Sequence, residues 1–250
     1  MHPRNTFESF VVGQSNQLAH AAAQVVAQVP GQPCCPLFIH GATGLGKTHL
    51  MNAIEHGVPQ RDPKIKVVHL SAEFLSNAYI LAKQVNALTK FVQRYRGLDV
   101  LLLDDIQFFS SEERSPEGFG PALKVLLDSQ RQIVLTSDRP AAEVVQPEAS
   151  LLSHIQSSHS AEIRAPDFET RVAILNVKAT ALKVSLPTSV IEFIAQQITK
   201  NIRQLEGALI KVSSHVALTG KQLDLATAES LLRDMLMNVH SDTCTARKTK

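Results

Sequence analysis

The chain has 250 residues, of which 44% are hydrophobic and 19% charged, and its formal net charge is +2. This length suits one or two domains with a sizeable buried core. Because the charge is nearly balanced, the chain has no large overall basic excess with which to bind nucleic acid. A local basic patch on its surface is still compatible with this composition. No run of about 18 apolar residues occurs, which excludes a transmembrane helix, and MHPRNTFESF lacks the apolar centre of a signal peptide, which predicts a cytoplasmic protein.

Hydrophobic periodicity predicts alternating helices and strands over the first two thirds of the chain. In chain order we expect a helix capped by Ser15 or Asn16, a strand at 36–40, a helix at 46–56 ending near Gly57 and Pro59, a strand at 66–70, helices at 71–84 and 87–95, a strand within 99–109, a helix at 116–129, and strands at 132–136 and 161–164. The run at 99–109 has an apolar centre, as expected for a parallel strand that is buried on both faces. This alternation predicts an α/β fold of the P-loop NTPase type, in which helices sandwich a parallel sheet, over residues 1–166.

Pro166 marks a change in composition, after which no strand pattern remains. Asp167 is placed to cap a long amphipathic helix, and further helices are predicted at 187–199, 201–217 and 224–237. We therefore expect a small all-helical domain at 167–238 and a polar, disordered tail at 239–250.

The sequence GATGLGKT, residues 41–48, follows the first apolar strand and matches the phosphate-loop pattern G-x-x-x-x-G-K-[ST] at every position. In such a loop the backbone N–H groups wrap a polyphosphate, while Lys47 reaches its β- and γ-phosphates and Thr48 offers its hydroxyl to Mg²⁺. The alternative is an ordinary glycine-rich turn beside a lysine. The predicted nucleotide-binding residues here are Gly41, Ala42, Thr43, Gly44, Leu45, Gly46, Lys47, Thr48 and His49.

Acidic residues follow two of the predicted strands. Asp104 is expected to hold Mg²⁺, largely through water, and Asp105 to orient or deprotonate the attacking water. The alternative is a pair of strand-end carboxylates in a turn. Asp138 ends the fourth strand, where a polar side chain can sense the third phosphate.

Taken together, the phosphate loop, the run DVLLLDDIQFF, TSDRP at 136–140 and NIRQLEGAL at 201–209 resemble the AAA+ module of the bacterial replication initiator DnaA, from about Asn5 to Leu236. The resemblance implies an ATP/ADP switch with Mg²⁺, with the adenine base lined by Val11, Val12 and Gly13. It also implies that Arg203 is a second sensor reaching the phosphates from a helical lid. The alternative to this sensor role is that Arg203 is a solvent-exposed arginine on a helix, which is the default for any arginine considered alone.

The arginine finger of the family has no counterpart here. Its run resembling EDRLRSRF corresponds to residues 148–155, EASLLSHI, which place His154 at the finger position and Ser150 at the other arginine. Histidine is shorter than arginine and mostly neutral at pH 7. Because loss of an arginine finger costs about 10³- to 10⁵-fold in turnover, we expect weak or absent hydrolysis stimulated by assembly.

Contacts of the family with single-stranded DNA are only partly kept. The apolar DNA-contacting residue of the family corresponds to Tyr79 or Ile80 here, and the basic DNA-contacting residue corresponds to Arg114. Glu112, in contrast, would repel the phosphates of DNA. Tyr79 is suited to stack on a base, with packing inside the protein as the alternative. The family's helicase-recruiting N-terminal domain and box-reading helix-turn-helix domain have no counterpart in these residues.

Three functions follow from this resemblance. The first is a DnaA-like ATP-binding protein with weak ATP hydrolysis that acts in initiation of bacterial chromosomal replication or in its regulation. The second is a catalytically silent, nucleotide-dependent adaptor that caps initiator assemblies. The third is an Hda-like regulator, which ranks last because that role needs an arginine finger. The expected partners are an adenine nucleotide, full-length DnaA or a second copy of this chain, and single-stranded or origin DNA.

Overall fold

The computed structural model describes residues 5–30, 36–110, 126, 131–144, 158–220 and 223–245. The strands are β1 Leu37–His40, β2 Val67–Ser71, β3 Val100–Asp104, β4 Gln132–Ser137 and β5 His159–Glu162. The helices are α1 Gln17–Gln28, α2 Lys47–Arg61, α3 Ala72–Gln84, α4 Leu88–Arg96, α5 Ala141–Val144, α6 Phe168–Ala181, α7 Thr188–Gln197, α8 Ile202–Thr219 and α9 Leu225–Thr245, and a 3₁₀ helix spans Ile106–Ser110. The predicted helix at 116–129 lies outside the described residues except for Leu126, which is buried.

The five strands form one parallel sheet in the order β2-β3-β4-β1-β5, which confirms the predicted α/β fold. Every residue of β3 is buried. Leu101 and Leu103 pack into the core cluster that contains residues of α3 and α4, whereas Val100 and Leu102 pack into the cluster that contains residues of α1 and α2. Because alternate side chains of a strand point to opposite faces, this one strand supplies both layers of the core.

Helix α2 is longer than predicted, because it continues through Gly57 and Pro59 to Arg61. Val58 is fully buried, and a Cβ built on Gly57 would lie 3.3 Å from the Cβ of Ala27 on α1. Close packing against α1 thus stabilises the extra turn at the point where glycine and proline predicted its end. Tertiary packing outweighs the local helix propensity here.

The chain divides into two compact units, an α/β unit of residues 1–10 and 16–164 and a helical unit of residues 11–15 and 165–250. The second unit begins two residues before the predicted boundary, and it includes a short segment from the N-terminal region. Its helix α9 extends to Thr245, into the stretch predicted to be disordered, since each residue added to an existing helix gains a backbone hydrogen bond without a new nucleation cost.

Helices α3 and α6 each begin at a side-chain cap, and the predicted cap at Asp167 is confirmed. The Ser71 hydroxyl accepts a hydrogen bond from the Phe74 backbone N–H at 3.1 Å, and the Asp167 carboxylate accepts one from the Thr170 N–H at 2.8 Å. Asn16 is the residue before α1, but its side chain makes no capping hydrogen bond. Within the described ranges, no helix has the length and apolar character needed to cross a membrane.

Candidate nucleotide-binding site

The sheet order brings the three predicted motifs of the α/β unit to one edge. The phosphate loop follows β1, Asp104 ends β3, and Asp138 follows β4, which lies between β1 and β3. Because all three strands are parallel, their carboxyl ends meet at the same edge, where α/β proteins bind ligands.

The phosphate loop is shaped by glycines that no other residue could replace without strain. Gly41 has φ +150°, and a Cβ at this position would lie 2.1 Å from the carbonyl oxygen of Ile163. Its N–H donates to the Ser137 carbonyl at 3.2 Å, which ties the start of the loop to the end of β4. Gly46, with φ +103°, is the left-handed residue from which α2 begins.

Lys47 is the first residue of α2 and is only 5% exposed. Its ammonium group donates to the carbonyls of Gly41 at 2.6 Å and Ala42 at 3.1 Å. The positive charge therefore lies inside the curve of the loop, where the N–H groups at the start of α2 also favour an anion.

Thr48 and Asp104, the two predicted magnesium ligands, are in direct contact. The Thr48 hydroxyl donates to Asp104 Oδ2 at 2.8 Å. The Thr136 hydroxyl donates to the other oxygen, Oδ1, and accepts a hydrogen bond from the Asp105 N–H at 3.0 Å. Thr136 lies on β4 and is fully buried. Through these two hydrogen bonds its single hydroxyl holds both the carboxylate of Asp104 and the backbone of Asp105.

A histidine and a glutamate lie behind Asp104. His69 Nε2 is 3.9 Å from Asp104 Oδ2, and His69 Nδ1 is 3.2 Å from Glu55 Oε2. Burial acts to raise the pKa of Asp104, but the neighbouring His69 and the hydrogen bonds from Thr136 and Thr48 outweigh it, so that this pKa is lowered. Burial likewise acts to lower the pKa of His69, and its two carboxylate partners outweigh burial and raise it.

The predicted catalytic residues Asp105 and Asp138 are joined by Gln107. The Gln107 side-chain amide donates to Asp105 Oδ1 at 3.0 Å, and its oxygen accepts the Asp138 N–H at 3.2 Å. Asp105 has φ +61° and is exposed, so the backbone turns sharply here and leaves the carboxylate at the surface. The Asp138 carboxylate pairs with Arg139 Nε at 2.8 Å.

His49 was predicted among the nucleotide-binding residues, but the contacts of its ring given by the structure are with the N-terminal segment. Its Nε2 atom lies 2.9 Å from the Thr6 carbonyl oxygen and 3.2 Å from the Ser9 hydroxyl. The prediction came from the position of His49 directly after the loop, which does not show where a side chain points.

Other predicted residues belong to the helical unit. A Cβ on Gly13 would lie 2.3 Å from the Thr170 hydroxyl oxygen, Val11 packs against the apolar core of this unit, and Val12 is 48% exposed. Arg203 is exposed in the first turn of α8, and its N–H donates to Asn201 Oδ1 at 2.9 Å. The roles of these residues remain predictions.

Burial argues against the predicted base-stacking role of Tyr79. This ring is 4% exposed and packs edge-on against Phe91 at 5.8 Å between centroids, so packing within the core, the alternative, accounts for it. Ile80 is half-buried. Arg114, the predicted basic DNA contact, and His154, at the finger position, lie outside the described residues.

Sequence reasoning missed Thr136, Gln107, His69 and Glu55 as parts of the site. Gln107 is two residues after Asp105 and Thr136 two before Asp138, so closeness to the predicted carboxylates is the one signal that could have pointed to them. His69 and Glu55 carry no such signal, since only the pairing of β2 with β3 and the packing of α2 bring them to Asp104.

The residues present fit a nucleoside polyphosphate with Mg²⁺. A loop that excludes a Cβ at Gly41 and surrounds an ammonium group suits phosphate oxygens, and a hydroxyl beside a carboxylate supplies the hard oxygen ligands that Mg²⁺ prefers. The described part of the chain contains no group of three or more His, Cys, Asp and Glu side chains suited to a metal.

Comparison with known proteins places this geometry in a family. Residues 1–162 match the Bacterial DnaA ATPase domain family. The chain is 43% identical over 235 residues to the chromosomal replication initiator protein DnaA of Thermus thermophilus, covering 94% of this chain and 54% of that protein, so it spans about half the length of this relative.

Solved structures of DnaA proteins have a similar fold. The fold is similar to the crystal structure of domain III of the Thermotoga maritima replication initiation protein DnaA, with a TM-score of 0.86, 36% identity and coverage of 94% of this chain and 98% of that one. It is also similar to a replication initiator DnaA bound to AMPPCP and single-stranded DNA, with a TM-score of 0.77, 30% identity and coverage of 94% and 69%. This chain, with its complete phosphate loop, belongs to the bacterial DnaA ATPase domain family.

Proposed function

We propose that this chain binds ATP and ADP with Mg²⁺ at the phosphate loop and acts as a nucleotide-switched module in the initiation of bacterial chromosomal replication or in its regulation. The observation that carries the proposal is the 2.8 Å contact between the Thr48 hydroxyl and Asp104, at the end of a complete phosphate-loop motif in a chain of this family. A cytoplasmic location, predicted from the N-terminal sequence, is part of the proposal.

Each residue has a role that follows from its chemistry. Lys47 and the loop N–H groups bind the β- and γ-phosphates, and Thr48 and Asp104 hold the magnesium ion, which neutralises phosphate charge when bound. Asp105, held by Gln107, orients the attacking water through its exposed carboxylate. Asp138 and Arg203 are the proposed sensors of the third phosphate.

Hydrolysis is proposed to be weak, because His154 replaces the arginine finger in the sequence. The proposed partners are full-length DnaA or a second copy of this chain, and single-stranded or origin DNA. Support for a DNA partner comes from the similar DnaA structure that holds single-stranded DNA.

His154 also favours a second candidate, a nucleotide-dependent adaptor that caps initiator assemblies without stimulating hydrolysis. We expect His154→Arg to raise ATP hydrolysis in a mixture with DnaA if the adaptor is correct. Hydrolysis stimulated by self-assembly of the unmodified chain would contradict the adaptor.

Isothermal titration of MgATP against the unmodified chain and Lys47→Ala tests the main proposal. Loss of charge-assisted hydrogen bonds of about 1.5–3 kcal/mol should weaken binding by about 10- to 100-fold. Lys90→Ala, which removes an exposed lysine from α4, is the matched control and should bind as tightly as the unmodified chain. Equal affinity of Lys47→Ala and the unmodified chain would refute the phosphate-loop assignment.

A further inference from the structure

The N-terminal strap, which we define as residues 5–10, forms a compact turn in the α/β unit. The Thr6 N–H donates to the Ser9 hydroxyl oxygen at 3.0 Å, the Ser9 hydroxyl donates to the Thr6 carbonyl at 3.1 Å, and the Phe10 N–H donates to the Phe7 carbonyl at 3.2 Å. This turn thus presents the Thr6 carbonyl and the Ser9 hydroxyl together on one side. Both atoms lie within hydrogen-bonding distance of His49 Nε2.

His49 is on the first turn of α2, directly after Thr48. The N–H groups of this helix turn are proposed to bind phosphate, and its Thr48 hydroxyl to hold Mg²⁺. The same turn therefore also holds the strap, through the Nε2 atom of His49. Because a carbonyl oxygen can only accept, the contact with Thr6 requires an N–H group at Nε2, and aliphatic side chains offer no such donor.

Phe10 ends the strap, is half-buried, and packs against two histidine rings and the phosphate loop. It meets the His49 ring edge-on with centroids 5.1 Å apart, and it stacks on His20 of α1 at 5.5 Å with 12° between the planes. A Cβ on Gly46 would lie 3.2 Å from the Phe10 ring. Phe10 is therefore packed directly over the left-handed turn that ends the phosphate loop, and both histidines help to fix it.

The residues after Phe10 are Val11, Val12 and Gly13, the predicted lining of the adenine base. From this continuity we propose that His49 is a positioning residue for base recognition, which acts by holding the strap and does not itself bind the nucleotide. This assignment rests on the proposed function. It explains why His49 directs Nε2 to Thr6 and Ser9 although it follows the phosphate loop in the sequence.

A positioning role and a phosphate-binding role of His49 predict different effects on ligands with and without a base. If His49 holds only the strap, loss of its ring should weaken ligands that carry a base and leave a bare polyphosphate unaffected. If His49 binds phosphate or shapes the loop, both kinds of ligand should weaken together.

Titration calorimetry with MgATP, MgADP and magnesium tripolyphosphate distinguishes these outcomes. We expect His49→Leu to weaken both nucleotides by about 2- to 10-fold, the equivalent of one hydrogen bond, with tripolyphosphate affinity unchanged. His49→Gln keeps an N–H donor and should recover most of the loss. His159→Leu, at an exposed position of the edge strand β5, is the matched control and should leave all three affinities unchanged.

Hydrogen exchange gives a second readout that needs no ligand. Peptides covering residues 5–13 should exchange faster in His49→Leu than in the unmodified chain and in His159→Leu, while peptides from β3 and β4 keep their protection. Unchanged exchange at 5–13, or an equal loss of tripolyphosphate and ATP binding, would overturn the assignment. Failure of the unmodified chain to bind ATP would instead overturn the proposed function and this inference with it.

Discussion

The two compact units hold their candidate functional residues in opposite ways. In the α/β unit, the hydroxyls of Thr48 and Thr136 both donate hydrogen bonds to Asp104, and Asp104 and Thr136 are buried. In the helical unit, the predicted sensor Arg203 is exposed on α8, and the core contains mainly apolar side chains. The α/β site is preorganised by its own polar contacts, whereas the helical unit carries its candidate residue, Arg203, as an exposed side chain on a helix.

This difference has a consequence for substitutions. A change within the α/β network leaves buried polar atoms without partners, so it lowers both stability and ligand affinity. A change at Arg203 should alter ligand response alone, because an exposed arginine contributes little to folding.

Gly41→Ala should have the largest effect on the α/β unit. Its new Cβ would lie 2.1 Å from the Ile163 carbonyl oxygen, on a backbone with φ +150°. Backbone strain and overpacking together should lower the free energy of unfolding by about 2–5 kcal/mol, measured by urea denaturation. The matched control is Gly97→Ala, which meets no atom within 4 Å and has φ −86°, and it should be neutral or slightly stabilising. Equal stability of the two variants would contradict the described loop geometry.

Arg171→Met tests whether the helical unit depends on any polar contact. The buried guanidinium of Arg171 donates to the Ala195 carbonyl at 2.7 Å and to the Pro166 carbonyl at 2.6 Å, which joins α6 to the last turn of α7 and to the chain before α6. Its loss should lower the free energy of unfolding by about 2–3 kcal/mol in denaturant titrations. Arg203→Met, on an exposed position, should change it by less than about 0.5 kcal/mol. A larger loss in Arg203→Met than in Arg171→Met would reverse the contrast.

Thr136→Val keeps the shape of the side chain and removes the hydroxyl. Asp104 Oδ1 and the Asp105 N–H would each lose a partner, so we expect destabilisation by about 1–3 kcal/mol and weaker magnesium-dependent ATP binding. Thr136→Ser retains the hydroxyl and should stay close to the unmodified chain in both measurements. If valine were tolerated as well as serine, the hydrogen bonds of Thr136 would have no energetic role.

The smallest expected effect is a pH dependence at the start of α6. Hydrogen bonding with Thr170 lowers the pKa of Asp167 below its ordinary value. The stabilisation from this carboxylate is therefore present above the ordinary carboxyl pKa and is lost as the pH falls through the lowered pKa. Thermal melts between pH 2 and 6 should show a steeper fall in stability at acid pH for the unmodified chain than for Asp167→Asn, which can keep the cap without titrating. Parallel pH profiles would contradict this sign.

What could be predicted from the sequence depended on patterns within short stretches. The apolar runs at 36–40, within 99–109 and at 132–136 predict buried parallel strands, and GATGLGKT predicts the loop after the first of them, because strand burial and glycine-rich turns are encoded by adjacent residues. Asp104 and Thr48 could be predicted as magnesium ligands for the same reason, since each follows directly from a motif.

Contacts between side chains that are distant in the sequence depend on the tertiary fold. Thr136 reaches Asp104 because β4 lies between β1 and β3, and His69 reaches it because β2 pairs with β3. Helix packing buries Tyr79 and directs His49 to the strap, although both had been predicted to contact ligands. Such contacts depend on strand order and on the direction of each side chain, and neither is encoded in the residues next to it.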